Sequence, residues 1–256
     1  MGPVPTLVLV LFGCLSGVTT VLFGFGGGFV TVPVVAAVTT GVDPMHIAVA
    51  TSTAVMVVNS ATATVVQARA GRLRREYLWP LAAFIAMGAV AGSVTAAETG
   101  DPTLRVLFAT YLGVTIVDSV LRGGFLRSQG DPRPLSPITT TAGGAGIGAV
   151  ASFLGVGGSV LTVPLLRRKG LAMADATAMA NPLSLPVAVI GTAVYASAGS
   201  GPVGYLDPLA GAALLAGSLP TIALVRRVAD RLPDRVHAIA YVLLLATALL
   251  AVALGS

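Results

Sequence analysis

Two stretches of the chain match each other and decide the fold: Gly24-Phe-Gly-Gly-Gly-Phe-Val-Thr-Val-Pro33 and Gly155-Val-Gly-Gly-Ser-Val-Leu-Thr-Val-Pro164. They align without gaps, and six of the ten positions are identical at an offset of 131 residues. Each stretch interrupts an apolar run that is too long for one membrane span, and its glycines break the helix there. An internal repeat built around a broken apolar helix is typical of secondary transporters.

The composition is that of an integral membrane protein. Of the 256 residues, 55% are hydrophobic and 10% are charged, against about 25% charged in a soluble domain. These values exclude a disordered chain and an ordinary cytosolic enzyme, and the single cysteine excludes a disulfide scaffold. The net charge of +5 comes from basic residues in short loops between apolar runs, so we exclude nucleic acid as a partner.

The apolar runs divide the chain into two halves. They cover roughly 4–38, 45–68, 77–97, 103–121, 136–166, 174–198, 205–225 and 236–254. A Gly/Pro-rich segment separates the fourth run from the fifth. We therefore predict a first transmembrane repeat at 1–122, a cytoplasmic linker at 123–136 and a second transmembrane repeat at 137–256.

The positions of the basic residues predict how the halves are oriented. If every apolar run crosses the membrane once, seven Lys/Arg lie on one side and eight on the other. If each interrupted run turns back as a hairpin, 14 of the 15 lie inside and Arg105 remains outside. The positive-inside rule favours the second arrangement. The predicted fold is all-α: a polytopic transmembrane helical bundle of two inverted repeats, each with a glycine-broken hairpin plus three spanning helices, and with both termini outside the cytoplasm.

The glycine breaks are the candidate binding site. A break followed by a short helix leaves free N–H groups at the helix N-terminus, where the helix dipole favours an anion. Two such ends are expected to meet near the midplane and face one ligand. The predicted substrate-binding residues are the break glycines and nearby neutral polar residues: Gly26, Gly27, Gly28, Thr31, Thr51, Ser52, Asn59, Gly157, Gly158, Ser159, Thr162 and Asn181. The alternatives are that the glycines only allow close helix packing and that the hydroxyls bond only to helices.

The sequence holds no constellation that indicates catalysis, a metal or a cofactor. It has no paired carboxylates, metal-spaced histidines or phosphate-binding loop, so we predict no catalytic residues, no metal, no cofactor and no enzyme activity. Asp118 is expected to pair with Arg122 one helical turn later. His46 and His237 lie near segment ends and are expected at the surface. Because Arg105 lies at the outside end of its run and the other apolar runs contain no Arg or Lys, we expect no buried cation.

The paired glycine signatures resemble those of the sulfite exporter TauE/SafE family, and the likeness extends over essentially the whole chain. Gly24–Pro33 with Ala50-Thr-Ser-Thr53 looks like the family's first signature, and Gly155–Pro164 looks like the second. The family's Thr-Ser after the second signature is replaced here by Asn181-Pro182. The resemblance implies a transporter of small sulfur-containing anions such as sulfite, thiosulfate and organosulfonates.

The sequence thus predicts a secondary membrane transporter of a small anionic sulfur compound, an exporter working by alternating access. A passive anion channel, an importer with the same fold and a scaffold subunit remain as alternatives. The expected location is the cytoplasmic (inner) membrane of a prokaryote. Besides the anion, the expected partners are membrane lipid and a second copy of the chain in a homodimer.

Overall fold

The computed structural model describes residues 3–39, 43–121, 132–199, 201–229 and 233–254, and they are almost entirely helical. The first half contains α1 (Pro3–Phe23), α2 (Gly28–Val38), α3 (Pro44–Arg69), α4 (Arg75–Leu78), α5 (Leu81–Ala97) and α6 (Asp101–Leu121). The second half contains a π-helical turn (Thr139–Gly143) that runs into α7 (Gly144–Leu154), then α8 (Ser159–Arg168), α9 (Met173–Ser197), a short strand β1 (Pro202–Tyr205), α10 (Pro208–Ala229) and α11 (Asp234–Leu254). Most of the predicted linker lies outside the described residues.

Helix lengths confirm an all-α polytopic membrane bundle. Within the described residues, five helical segments are long and apolar enough to cross a membrane: Val4–Phe23, Pro44–Arg69, Arg75–Ala97, Met173–Ser197 and Pro208–Val225. The first arm of the first hairpin is α1, with 21 residues; that of the second is α7, with 11 residues, which the π-helical turn at Thr139–Gly143 extends at its start. The first arm of the first hairpin is therefore long enough to span the bilayer by itself.

The first glycine break turns the chain back, as the predicted hairpin requires. Asp207 N–H donates to Thr51 Oγ1 and Ser218 Oγ donates to Asn59, so α10 runs parallel to α3. Gly13 packs on Leu214 and Gly17 on Ser218, so α1 is parallel to both. After the break, Thr31 lies beside Ser52, and the chain proceeds towards the beginning of α3. The hairpin of α1 and α2 thus starts and finishes at one end of the bundle.

The second glycine break also turns the chain back, and its hairpin starts and finishes at the opposite end of the bundle. Gly88 packs on Ala145 and Gly92 on Ala149, so α7 runs parallel to α5. Arg74, just before α4, pairs with Asp175 in the first turn of α9, so α5 and α9 begin at the same end. A connection of only four residues joins α8 to α9. The hairpin of α7 and α8 therefore starts and finishes where α9 begins.

Packing between the halves is reciprocal. The first helix of each half packs against the penultimate helix of the other, α1 on α10 and α7 on α5. The two long helices α3 and α9 pack on each other in opposite directions, because Thr53 contacts Gly191 while Arg74, beyond the end of α3, reaches Asp175. Helices α6 and α11 also pair. The orientation of the halves in a membrane stays a prediction.

One end of the bundle is basic. There the Arg74–Asp175 pair (3.1 Å), the Arg168–Asp118 pair and the Arg133 N–H bond to the Lys169 carbonyl (2.8 Å) hold neighbouring connections together. Among the described basic residues, Arg105 is the one placed at the other end, in the first turns of α6. Asp118 pairs with Arg168 of α8. Arg122, its expected partner, lies outside the described residues.

Three expectations about buried charge and histidine are wrong. His46 and His237 are buried, and the Arg167 side chain is fully buried in the last turn of α8. His237 reaches the Leu22 carbonyl and packs on Phe23, so it fastens α11 to the end of α1. Proximity to a segment end does not reveal that a neighbouring helix covers the side chain.

Candidate functional site

The two glycine breaks are in direct contact beside the middle of α3. A Cβ placed on Gly28 would lie 2.7 Å from the Gly155 carbonyl oxygen, so a side chain does not fit there. Ser52 Oγ lies within hydrogen-bond distance of both the Gly28 carbonyl (3.2 Å) and the Gly155 carbonyl (3.3 Å). The breaks are fully buried, so they form one enclosed centre built from both halves.

The glycines are required by backbone conformation as well as by space. Gly27 has φ +99° and Gly157 has φ +72°, values that other residues rarely adopt. A Cβ on Gly27 would approach Asn59 Nδ2 at 2.9 Å, and one on Gly157 would approach Met56 Sδ at 2.6 Å. The glycines therefore permit two tight turns and bring their amides close to α3.

Each break leaves free backbone donors. After the first break, the first amides with a carbonyl acceptor are those of Val30 and Thr31, which donate to the Gly27 carbonyl. After the second break they are those of Leu161 and Thr162, which donate to the Gly158 carbonyl. The amides of residues 26–29 and 157–160 have no acceptor among the described residues. Free N–H groups at the start of a helix, together with the helix dipole, favour an anion.

The predicted polar residues of the first half are bonded within the protein. Thr31 Oγ1 lies 2.6 Å from Ser52 Oγ and within reach of the Gly27 carbonyl. Asn59 donates to Ser16 Oγ (3.3 Å) and accepts from Ser218 Oγ (2.8 Å), which places it behind Gly27. Thr51 accepts from the Asp207 amide (3.0 Å) near the start of α10, so it is directed away from the breaks.

The predicted residues of the second half are less completely bonded. Asn181 Nδ2 donates to the Thr20 carbonyl (3.1 Å), while its Oδ1 has no partner among the described residues. Ser159 and Thr162 are fully buried, and their hydroxyls have no described partner. Gly158 packs against Ile147 and the Leu183 carbonyl, which holds the start of α8 against α9.

Sequence reasoning left two hydroxyls near the breaks out of the site. Ser60 Oγ lies against Gly26, and Ser184 Oγ would lie 3.3 Å from a Cβ on Gly157. Both are fully buried and have no hydrogen-bond partner in the described part of the chain. Asn181 and Ser184 are three residues apart and therefore lie on one face of α9. This spacing could have indicated Ser184 from the sequence.

Near the basic end, a buried arginine pairs with a partly exposed aspartate. Arg167 donates to both carboxylate oxygens of Asp234, at 3.1 and 2.8 Å, and to the Leu171 carbonyl at 3.1 Å. Asp234 also accepts from the Met173 amide (2.6 Å) at the start of α9. Because this guanidinium is neutralised by a bidentate carboxylate, it ties α8, α9 and α11 together as a structural pair.

The opposite end contains a cluster of possible metal ligands. Asp43, His46 and Asp101 each place one ligand atom within 4.8 Å of the others. His46 Nδ1 contacts Asp101, its Nε2 faces the Ala96 carbonyl (3.2 Å), and its ring stacks on Tyr205. Asp101 also accepts from the Met45 amide (2.8 Å), at the start of α3. Because both ring nitrogens of His46 have protein partners, we interpret the cluster as a contact that joins α3, α5 and α6.

The fold and the buried centre define a class of protein. A polytopic bundle in which two broken apolar helices turn back and meet in one polar centre is the architecture of secondary transporters. The chain belongs to the sulfite exporter TauE/SafE family, whose sequence profile matches residues 9–254. It is therefore a multi-pass membrane protein of a transporter family.

The chain is similar to a probable membrane transporter protein of Haemophilus influenzae, with 27% identity over 173 residues. That match covers 64% of this chain and 64% of the relative. No significant match to a solved structure was found.

Proposed function

We propose that this protein carries a small sulfur-containing anion, such as sulfite, thiosulfate or an organosulfonate, across the cytoplasmic membrane. The observation that supports this function is the contact between two helix N-terminal breaks whose amides 26–29 and 157–160 have no described acceptor. Compact oxyanions suit such donors, since free amides and the helix dipole stabilise negative charge without a buried cation. Family membership supports the same class of substrate.

The proposed mechanism is alternating access. The breaks are buried from both ends in this structure, as expected of an occluded state. Opening towards one side at a time requires the hairpin tips to part from α3 or α9 on that side. The proposed direction is export, because a negative cell interior expels an anion by about 2.3 kcal/mol per charge per 100 mV.

Counterflow in proteoliposomes tests the proposal. Vesicles preloaded with thiosulfate or sulfite should accumulate the labelled anion transiently and saturably. Gly28→Ala should abolish this exchange, because a Cβ there would lie 2.7 Å from the Gly155 carbonyl oxygen. Gly113→Ala is the matched control, since no atom outside its own helix backbone lies within 4 Å of a Cβ at that position.

The outcome distinguishes the remaining alternatives. Unitary currents in a planar bilayer would identify a channel, and accumulation only in the inward direction would identify an importer. If purified wild-type protein neither exchanges nor binds any sulfur oxyanion, the transport proposal is wrong and a scaffold role takes its place.

A further inference from the structure

We infer that the oxygens of the ligand are held by a specific set of hydroxyls, those of Ser60, Ser159, Thr162 and Ser184, and not by Thr31, Ser52 or Asn59. This inference rests on the proposed function and names the part of the ligand that the site recognises. Three of the four hydroxyls belong to the second half of the chain, so the two halves contribute unequally.

The first argument is that these four hydroxyls are buried without a partner. Each residue is fully buried, and each oxygen lacks a hydrogen-bond partner within the described residues. Several other buried hydroxyls in helices of this chain bond to a carbonyl one turn back, as Ser93 does at 2.8 Å, although Ser152 in α7 does not. A buried unpaired hydroxyl is costly and uncommon in native proteins, and a bound oxyanion would remove that cost.

The second argument is that these hydroxyls surround the breaks. Ser60 lies against Gly26 and Ser184 against Gly157, while Met56 packs between these two glycines. Ser159 and Thr162 lie one turn apart at the start of α8, where amides 157–160 are also free. At the N-terminus of α8, a ten-residue helix, the hydroxyls of Ser159 and Thr162 therefore lie within a few residues of the free amides.

The difference between the halves has a cause in the sequence. Thr31 is bonded to Ser52, but the counterpart of Ser52 is Pro182, which has no hydroxyl, so Thr162 is left unpaired. Similarly, Gly28 has no room for a side chain, whereas its counterpart Ser159 carries a hydroxyl into the second break. These two differences between the repeats therefore leave hydroxyl donors without a partner in the second half.

The chemistry of these donors defines the ligand. Hydroxyls and amides provide neutral donors, and the buried guanidinium of Arg167 is occupied by Asp234. Such a set suits a compact group with several unprotonated oxygens. Sulfite, thiosulfate and sulfonates all present sulfur bonded to three oxygens, so the site is assigned to this shared end of the ligand, whatever else the molecule carries.

Binding to matched variants tests the assignment. The affinity of purified protein for thiosulfate and sulfite is measured by calorimetry, with chloride as the comparison anion. Ser184→Ala and Thr162→Val should each weaken sulfur-oxyanion binding by about tenfold or more, as expected for a hydrogen bond to a charged group. The unfolding temperature of the ligand-free protein should stay unchanged or rise, because each variant removes an unpaired polar atom.

First-half variants provide the contrast. Ser52→Ala and Thr31→Val should lower the unfolding temperature of the ligand-free protein, because they break the 2.6 Å contact and the bonds that join the breaks. Wild-type affinity in Ser184→Ala and Thr162→Val would overturn the assignment while leaving the proposed function intact. If the wild-type protein binds none of the sulfur oxyanions, the proposed function and this assignment both fail.

Discussion

Met56 packs against both glycine breaks. It is fully buried near the middle of α3, with its Cγ against Gly26 and its sulfur against Gly157. A flexible, polarizable methionine can repack when its neighbours move. If the proposed ligand binds at the breaks, the length of this side chain would limit how large that ligand can be.

Truncating Met56 should therefore destabilise the protein and widen its specificity. We expect Met56→Ala to lower the free energy of unfolding by about 2–5 kcal/mol, as for other buried methionines. It should also improve binding of bulky organosulfonates relative to sulfite. Met87→Ala is the matched control, because Met87 is 65% exposed and its loss should change stability by about 0.5 kcal/mol or less. An unchanged preference in Met56→Ala would show that this side chain does not limit ligand size.

At the residue scale, the sequence predicted the backbone of the site better than its side chains. The breaks meet where Gly28 approaches the Gly155 carbonyl, and Gly26 and Gly157 have the positive φ of tight turns, which clustered glycines in the sequence indicate. Which hydroxyls remain unpaired depends on contacts between distant helices, such as the bond from Thr31 to Ser52. The burial of Arg167 also follows from a distant partner, Asp234, whose place beside α8 no local pattern reveals.

Two helix interfaces with glycine at the points of contact, α5–α7 and α1–α10, help to join the two halves, and we call them glycine seams. In the α5–α7 seam, a Cβ on Gly88 would clash with the Ala145 carbonyl, and one on Gly148 would clash with the Ile85 carbonyl. The α1–α10 seam has the same character at Gly13 and Gly217. Small residues let membrane helices approach closely, and dispersion contacts then hold them together.

A single methyl group in a seam should separate its helices. We expect Gly88→Ala to lower the free energy of unfolding by about 1–3 kcal/mol, as for overpacked cores. Gly146→Ala, on the same helix as Gly148 but in open space, should be neutral or stabilising by about 0.5–1 kcal/mol. Thermal unfolding in detergent measures both, and equal effects in the two variants would show that the seam is loosely packed.

At the element scale, hairpins and spans were predictable because their signals are local. Apolar length and glycine spacing predict where helices end, and the structure breaks them at Phe23 and Leu154. The π-helical turn at Thr139–Gly143 was not predicted, and it has no counterpart among the described residues of the first half.

The basic end gives the whole molecule a direction. Arg74, Arg133, Arg167 and Arg168 all lie there, on connections from both halves. From the positive-inside rule we predict that this end faces the cytoplasm. Gly100, in the short connection before α6, belongs to the opposite end.

Cysteine labelling of intact cells tests this orientation. In a Cys14→Ala background, a membrane-impermeant maleimide should label Gly100→Cys and leave Ala70→Cys unlabelled until the cells are opened. Both positions are exposed in the structure, so access depends on the side of the membrane. The reverse pattern would place the basic end outside.

The reciprocal seams have a consequence for biosynthesis and ancestry. Gly13 packs on Leu214, so the partner of the first helix is synthesised about two hundred residues later. The newly inserted first half must keep its glycine face available until the last helices are inserted. Each seam consists of one helix from each half, so neither half can form a seam by itself. Two copies of a half-length chain would make the same two contacts as an isologous dimer. The single chain therefore contains, as internal contacts, the interface that such a dimer would form between its subunits.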